Sequence, residues 1–165
     1  MTAFGEVELE ALYERLEKPV YNVVYRWLWN PEEARDVVQD AFVRLWRMRR
    51  RIELATVEPL VYKIALNLAR SRLRRRRIIR WVGFDAVAPT LRDPQDVEAG
   101  VARSEDQARV RQAVLALPDD LRQVIVLCEF SGMKYEQIAE ALSIPPGTVG
   151  SRRHRALTKL RELLA

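Results

Sequence analysis

Apolar residues recur three and four positions apart through most of this chain, the period of an α-helix. Over residues 7–29 the series is Leu9, Leu12, Tyr13, Leu16, Val20, Val23, Val24 and Trp27. Pro19 is expected to kink or divide that segment, because proline lacks an amide donor and crowds the preceding turn. A second series, Ala34, Val37, Val38, Ala41, Phe42, Leu45 and Trp46, follows Asn30-Pro31-Glu32-Glu33. These four residues are a helix start: Asn caps, Pro suits the first helical position, and the carboxylates favour the positive end of the dipole. The opposite side of this helix, Glu32, Arg35, Asp36, Gln39, Asp40, Val43, Arg44 and Arg47, is a polar ridge. By pattern alone it fits a merely solvated face as well as a docking face. Residues 47–56 break the period and read as a basic loop or frayed helix end. Thr56 then offers a cap, with Pro59 in the first turn of a third helix. Its inward residues are Leu60, Val61, Ile64, Ala65, Leu68 and Leu73, and it runs into Arg70, Arg72, Arg74, Arg75, Arg76, Arg77 and Arg80.

Residues 81–103 contain Gly83, Pro89, Pro94 and Gly100 without a sustained period, and read as a linker with little structure of its own. Ser104-Glu105-Asp106-Gln107 reads as a capping box opening a helix with Ala108, Val110, Ala113, Val114 and Leu117. Pro118-Asp119-Asp120 starts another, whose Val124, Ile125, Leu127 and Cys128 are core candidates, and Gly132 stops it. Residues 135–164 read as a helix, a tight turn and a second helix. Ile138, Ala139 and Leu142 line one face, Ile144 follows the turn and Val149 faces back, while Pro145 and Pro146 mark the turn and the second helix begins near Gly147. That helix presents Arg152, Arg153, His154 and Arg155 on its first turns, where a helix-turn-helix places the side chains that enter the major groove. A helical hairpin with a solvated basic face is the plainer reading; the turn spacing together with the arginines favours DNA. The expected fold is all-α: two small helical domains, residues 1–80 and 104–165, joined by a flexible acidic linker, residues 81–103.

Composition sharpens this picture. The 165 residues suffice for buried cores without disulfides or metal, and the single cysteine, Cys128, excludes an internal disulfide and reads as packing. The net charge of +5 hides a block pattern. Residues 41–80 hold thirteen Arg or Lys against Glu53 and Glu58, whereas residues 81–108 hold six acidic residues against Arg92 and Arg103. Two basic modules flanking an acidic connector suit a polyanionic partner that the connector must avoid. Cys128 and His154 are too few for a metal site, and no Gly-rich loop suggests a nucleotide cofactor, so a nucleic-acid-processing enzyme has little support. The acidic first ten residues and the absence of a long apolar run argue against membrane insertion and for the cytoplasm.

Two stretches together resemble the extracytoplasmic-function (ECF) sigma factors, the compact two-domain group of bacterial sigma factors. One is residues 30–46 followed by 60–69 and the arginine run; the other is residues 117–127 through Gly132, 135–139, Pro145, 147–149, Ser151 and Arg152. The resemblance implies a promoter-specificity subunit without catalytic activity or cofactor. Its partners would be core RNA polymerase, through the clamp and flap, and promoter DNA, with an anti-sigma factor as a further partner common in the family. By similarity, residues 1–80 form sigma domain two, in which Asp36, Gln39, Asp40 and Arg44 dock on the polymerase clamp. Tyr62 and Asn67 would lie near a flipped non-template base of the −10 element, with Lys63, Arg70, Arg74 and Arg75 on the backbone; a flipped base exposes its hydrogen-bonding edge to such a site. Residues 104–165 would be sigma domain four, reading the −35 element through Thr148, Ser151, Arg152, Arg153 and Arg155, and the linker would thread the polymerase cleft. The sequence departs from the family at Gly150, where a lysine is usual, and at Arg153, usually apolar. Ser143 stands where such turns often have Gly, and Leu60 where Trp is frequent. A stand-alone helix-turn-helix regulator is the alternative reading.

Overall fold

A computed structural model describes residues 4–82 and 101–165, with side chains from residue 104 onward in the second stretch. Among these residues every regular element is helical. The first half contains α1 (Glu6–Leu28), α2 (Pro31–Arg47) and α3 (Val57–Trp81), with two short 3-10 turns, Arg49–Arg51 and Leu54–Thr56, between α2 and α3. The second half contains α4 (Val101–Ala116), α5 (Asp119–Phe130), α6 (Tyr135–Leu142) and α7 (Pro146–Leu164). The all-α expectation holds.

Local chemistry accounts for most boundaries. The Asn30 side chain accepts from the Glu33 amide at 3.0 Å, capping α2. Gly132, at φ 72, follows the end of α5, a backbone geometry that glycine adopts without a Cβ penalty. Pro145 and Pro146 open α7 as cap and first residue. Three expectations are corrected. Pro19 lies inside α1 and does not divide it; flanking Leu16, Val20 and Val23 are buried, so packing holds the turn that lacks a donor. Thr56 precedes α3 but its hydroxyl donates to the Glu53 carbonyl at 3.4 Å and caps nothing. The helix α4 begins at Val101, so Ser104 lies inside it, and α3 takes in Trp81. The rest of the expected linker, residues 83–100, lies outside the described residues.

Helices α1, α2 and α3 enclose Leu16, Val20, Val24, Val37, Leu45, Val61 and Ala65. Helices α5, α6 and α7 enclose Val124, Leu127, Ile138, Val149 and Ala156. The two sets of side chains belong to one continuous apolar cluster, because α6 packs on α3 and α5 on α1.

The turn between α6 and α7 holds Ser143 in the left-handed region at φ 56. A residue with a Cβ is disfavoured there by about 1–2 kcal/mol, and glycine is not, though it gains freedom in the unfolded chain. Ser143→Gly is therefore expected to raise stability by about 0.5–1 kcal/mol, as a higher urea midpoint at unchanged slope. A lowered midpoint would mean that the serine hydroxyl stabilises the turn.

Candidate nucleic-acid interface

The arginine run on α3 divides into two faces. Arg72 reaches back to α2, pairing with Asp40 at 3.3 Å and Asp36 at 3.7 Å. Arg76 pairs with Glu33 and donates to the Leu28 carbonyl at 3.1 Å; burial pulls its guanidinium below the ordinary value, helped by Arg80 and Arg111. These two arginines fasten α3 to the first two helices. Lys63, Asn67, Arg70, Arg74 and Arg77 lie along a different side, four or three residues apart, and all but half-buried Arg70 are exposed. None of the four basic residues among them forms an ion pair with a described residue. Arg75 is exposed and belongs to neither of these two sides.

Tyr62, expected near the displaced base, lies apart from the exposed row in this structure. It is fully buried, and its hydroxyl donates to the Ser131 carbonyl of the second half at 3.2 Å. Burial, with the Glu58 charge next, pushes its pKa far up. In this arrangement no base can reach its ring. The resemblance places Tyr62 beside Lys63 in the reading segment, but on a helix adjacent positions point about 100° apart, and here Lys63 faces out while Tyr62 faces in.

The polar ridge of α2 is exposed as expected. Asp36 and Asp40 keep more than half of their side-chain surface while binding Arg72, and Gln39 and Arg44 lie beside them in solvent. The exposed valine of the ridge, Val43, is flanked by Asp40 and Arg44, so the face combines charge with a small apolar centre.

On α7, Val149 and Ala156 turn inward while Ser151, His154 and Arg155 face solvent. Ser151 donates its hydroxyl to the Thr148 carbonyl at 3.2 Å. Arg152 leans on Asp120 at 3.8 Å. Arg153 is held by Glu129 of α5, with Nη2 at 2.8 Å and Nε at 3.2 Å, and this bond raises its pKa. The unusual arginine thus ties the reading helix to its support. A Cβ at Gly150 would meet the Tyr135 ring at 3.6 Å, an ordinary contact, so the helix has room there for a Cβ. His154, set among the arginines of the reading helix, lies on the outward face with Ser151 and Arg155.

Where the halves meet, Arg122 of α5 is only 2 % exposed. Its Nη2 donates to the Leu115 and Leu117 carbonyls at 3.0 and 3.3 Å, and its guanidinium lies 4.6 Å from the Trp27 ring centroid on α1. Burial pulls its pKa down, partly opposed by Asp119. Arg26 lies over Phe130 at 4.3 Å, and a small cleft is lined by Lys63, Asn67 and Arg70 on one side and Gln123, Ala141 and Leu142 on the other. Sequence reasoning passed over Arg122. Its signal was a charge set between Leu121 and Val124 on the apolar side of α5. Cys128 packs half-buried against the core, and burial pushes its thiol up, away from the reactive thiolate.

The sequence matches the family models for Sigma-70 region 2 over residues 12–78 and Sigma-70 region 4 over residues 107–160. It is 31% identical over 154 residues to the ECF RNA polymerase sigma factor SigW of Bacillus subtilis, covering 88% of this chain and 82% of that protein. The chain belongs to the ECF sigma factors. It is also 32% identical over 150 residues to the ECF RNA polymerase sigma factor SigE of Mycolicibacterium smegmatis, covering 88% of this chain but 57% of that longer relative. The fold is similar to that of the sigma factor RpoE in complex with the anti-sigma factor NepR from Bartonella quintana, with TM-score 0.74 and 23% identity over 95% of this chain and 96% of that one. ECF sigma factors are non-enzymatic initiation factors that give RNA polymerase its promoter specificity, and a stand-alone helix-turn-helix regulator is not favoured for this member. No helix among the described residues is long and apolar enough to cross a membrane.

Proposed function

We propose that this ECF sigma factor docks on core RNA polymerase through the α2 ridge, with Asp36, Gln39, Asp40 and Arg44 in contact. The exposed row of α3 then engages the −10 element, Asn67 beside the displaced base and Lys63, Arg70 and Arg74 on the backbone, with Arg75 on a neighbouring phosphate. The outer face of α7, with Thr148, Ser151, Arg152 and Arg155, engages the −35 element; Arg153 serves by holding α7 against α5. The first functional unit ends with α3 and the second starts with α4, and residues between them connect the two inside the polymerase. The protein has no reaction of its own and acts in the cytoplasm. An anti-sigma factor is a fitting regulator, since the RpoE structure was solved with one.

The observation that carries this reading is the separation of the arginine run. Arg72 and Arg76 are occupied by carboxylates of α2, whereas the row containing Lys63, Arg70 and Arg74 is left without them. Uncompensated charges so close together repel one another and are stabilised beside phosphates. The test is reconstitution with sigma-free core polymerase and a pool of promoter fragments, followed by sequencing of transcript starts. Protein-dependent starts sharing two upstream elements about one and a half helical turns apart are the expected result. Retention of duplex fragments by the protein alone, with polymerase unaffected, would overturn it.

A further inference from the structure

Where α3 passes the start of α5, a cleft of about 60 Å³ is lined by Arg70, Leu73, Arg74 and Arg77 of α3, Trp27 of α1 and Asp119 of α5. Both halves of the chain build it, and its polar groups are nearly all donors. Arg70, Arg74 and Arg77 form no ion pair with a described residue. Trp27 is only 1 % exposed, and its indole Nε1 has no acceptor among the described residues. Arg122, 4.6 Å from the Trp27 ring centroid, uses Nη2 on two carbonyls and leaves its buried Nε and Nη1 without an acceptor. Burial lowers the Arg122 pKa, Asp119 opposes this, and the Arg77 charge adds to the lowering, so the two guanidinium groups repel each other. The one carboxylate here, Asp119, is half exposed and lies 3.6 Å from Arg122, too little to balance four guanidinium groups.

We propose that this cleft binds a phosphoryl oxyanion, either free phosphate or the terminal phosphate of a nucleotide, and that the bound anion ties the two halves together. A buried donor without an acceptor is costly, and an anion with several oxygens satisfies more than one at once. The size agrees: a water needs roughly 10–15 Å³ of such space, so the cleft takes about four or five oxygen-sized atoms, as many as one phosphate group carries. Planar guanidinium forks match phosphate oxygens in pairs, whereas a carboxylate would bring only two oxygens and one charge to the same donors. Asp119 is the first residue of the twelve-residue α5, so the positive end of that helix dipole adds to the field of the arginines. A terminal phosphate can enter among donors buried this deeply; a backbone phosphate brings a sugar on each side. Because Trp27 and the three α3 arginines belong to the first half and Arg122 to the second, an anion held by both sets resists their separation. On the −10 reading proposed above, Arg70 and Arg74 are shared with DNA, and anion and promoter then compete for them; binding of the anion itself does not depend on that reading.

The test is titration calorimetry of the full chain with sodium phosphate and, separately, with ADP, against sodium chloride of equal ionic strength. Phosphate is expected to saturate one site per chain, and chloride to give no saturable heat. Arg77→Gln should weaken phosphate by about 10- to 150-fold, the range for one hydrogen bond to a charged group. Arg80→Gln removes the same charge from α3 outside the cleft and should leave the affinity unchanged. Arg77 and Arg80 are both exposed, so both variants are expected to keep the fold, which circular dichroism checks. Tighter binding of ADP than of phosphate supports a nucleotide as the source, and weaker binding supports the free ion. No saturable binding of either overturns the site. Equal losses in Arg77→Gln and Arg80→Gln overturn it too, since they would mean general attraction to a basic helix. Hydrogen exchange tests the tie: bound phosphate should slow the amides around Trp27 and those around Arg122 together, and saturable binding with unchanged exchange at either would overturn it. None of these outcomes involves promoter-directed starts, so the sigma-factor reading stands or falls by its own test.

Discussion

Replacing Asp40 and Arg44 together by alanine is expected to lower affinity for core RNA polymerase by about 100-fold or more and to leave the fold intact. Both residues sit one turn apart on the outer face of α2, flanking Val43. Charges around a small apolar centre have the form of a docking face, where truncation removes specific contacts and the partner's charges are left unpaired. The structural role of Asp40 is modest, because Arg72 keeps Asp36 when Asp40 is lost. The pair is largely exposed, so the stability change should stay within about 1 kcal/mol. Anisotropy titration with core polymerase reads the loss and circular dichroism checks the fold. Arg15→Ala, which breaks the pair with Glu58 on another face at 2.7 Å, is the control and should bind normally. Normal affinity in the double variant would remove the docking role from this ridge.

Arg122→Ala is expected to destabilise the protein by about 3 kcal/mol. Its guanidinium serves two helix-end carbonyls and covers the Trp27 ring, so alanine leaves the carbonyls without a donor, removes a cation–π contact and opens a hole against α1. The ion pair with Asp119, at 3.6 Å, adds little because that carboxylate is half exposed. Urea unfolding should show the lowered midpoint, whereas Arg74→Ala, on the exposed row, should fall within about 0.5 kcal/mol of the parent. Arg122→Met separates charge from volume: stability equal to the parent would mean that packing alone matters here. A loss under about 1 kcal/mol in Arg122→Ala would show that neither does.

Much of this was legible in the residue order. The three-four period gave the helices because burial of one face is the dominant force on each, and Asn30, Gly132 and the Pro145-Pro146 pair act locally, within the reach of their neighbours in sequence. What remained hidden depends on how helices meet. Nothing local says that Arg72 and Arg76 turn toward α2 while Arg74 and Arg77 do not, since that follows from the rotation of α3 against its neighbour. Ser104 has the letters of a cap but lies within α4. The same holds for Tyr62 and Arg122, whose burial is created by the second half packing on the first. The resemblance to ECF sigma factors supplied docking roles that the pattern of α2 left undecided, whereas Arg153, a candidate from its place on the first turns of α7 and a departure from the family, is held to the scaffold by Glu129.

The packing of α6 on α3 and of α7 on α6 also sets a reach. Neighbouring helix axes lie about 8–10 Å apart, which puts the basic row of α3 and the outer helix of the second half within roughly 20 Å of each other across two such steps. Two DNA elements one and a half turns apart are separated by about 50 Å along the duplex. If the two faces proposed above read both elements at once, a rigid body with this spacing is too short a ruler, and the halves must part and bare Trp27 and Tyr62 to water. The apolar contact between the halves is then a restraint that polymerase and DNA together must outweigh, and its strength sets how readily the free protein becomes a reader.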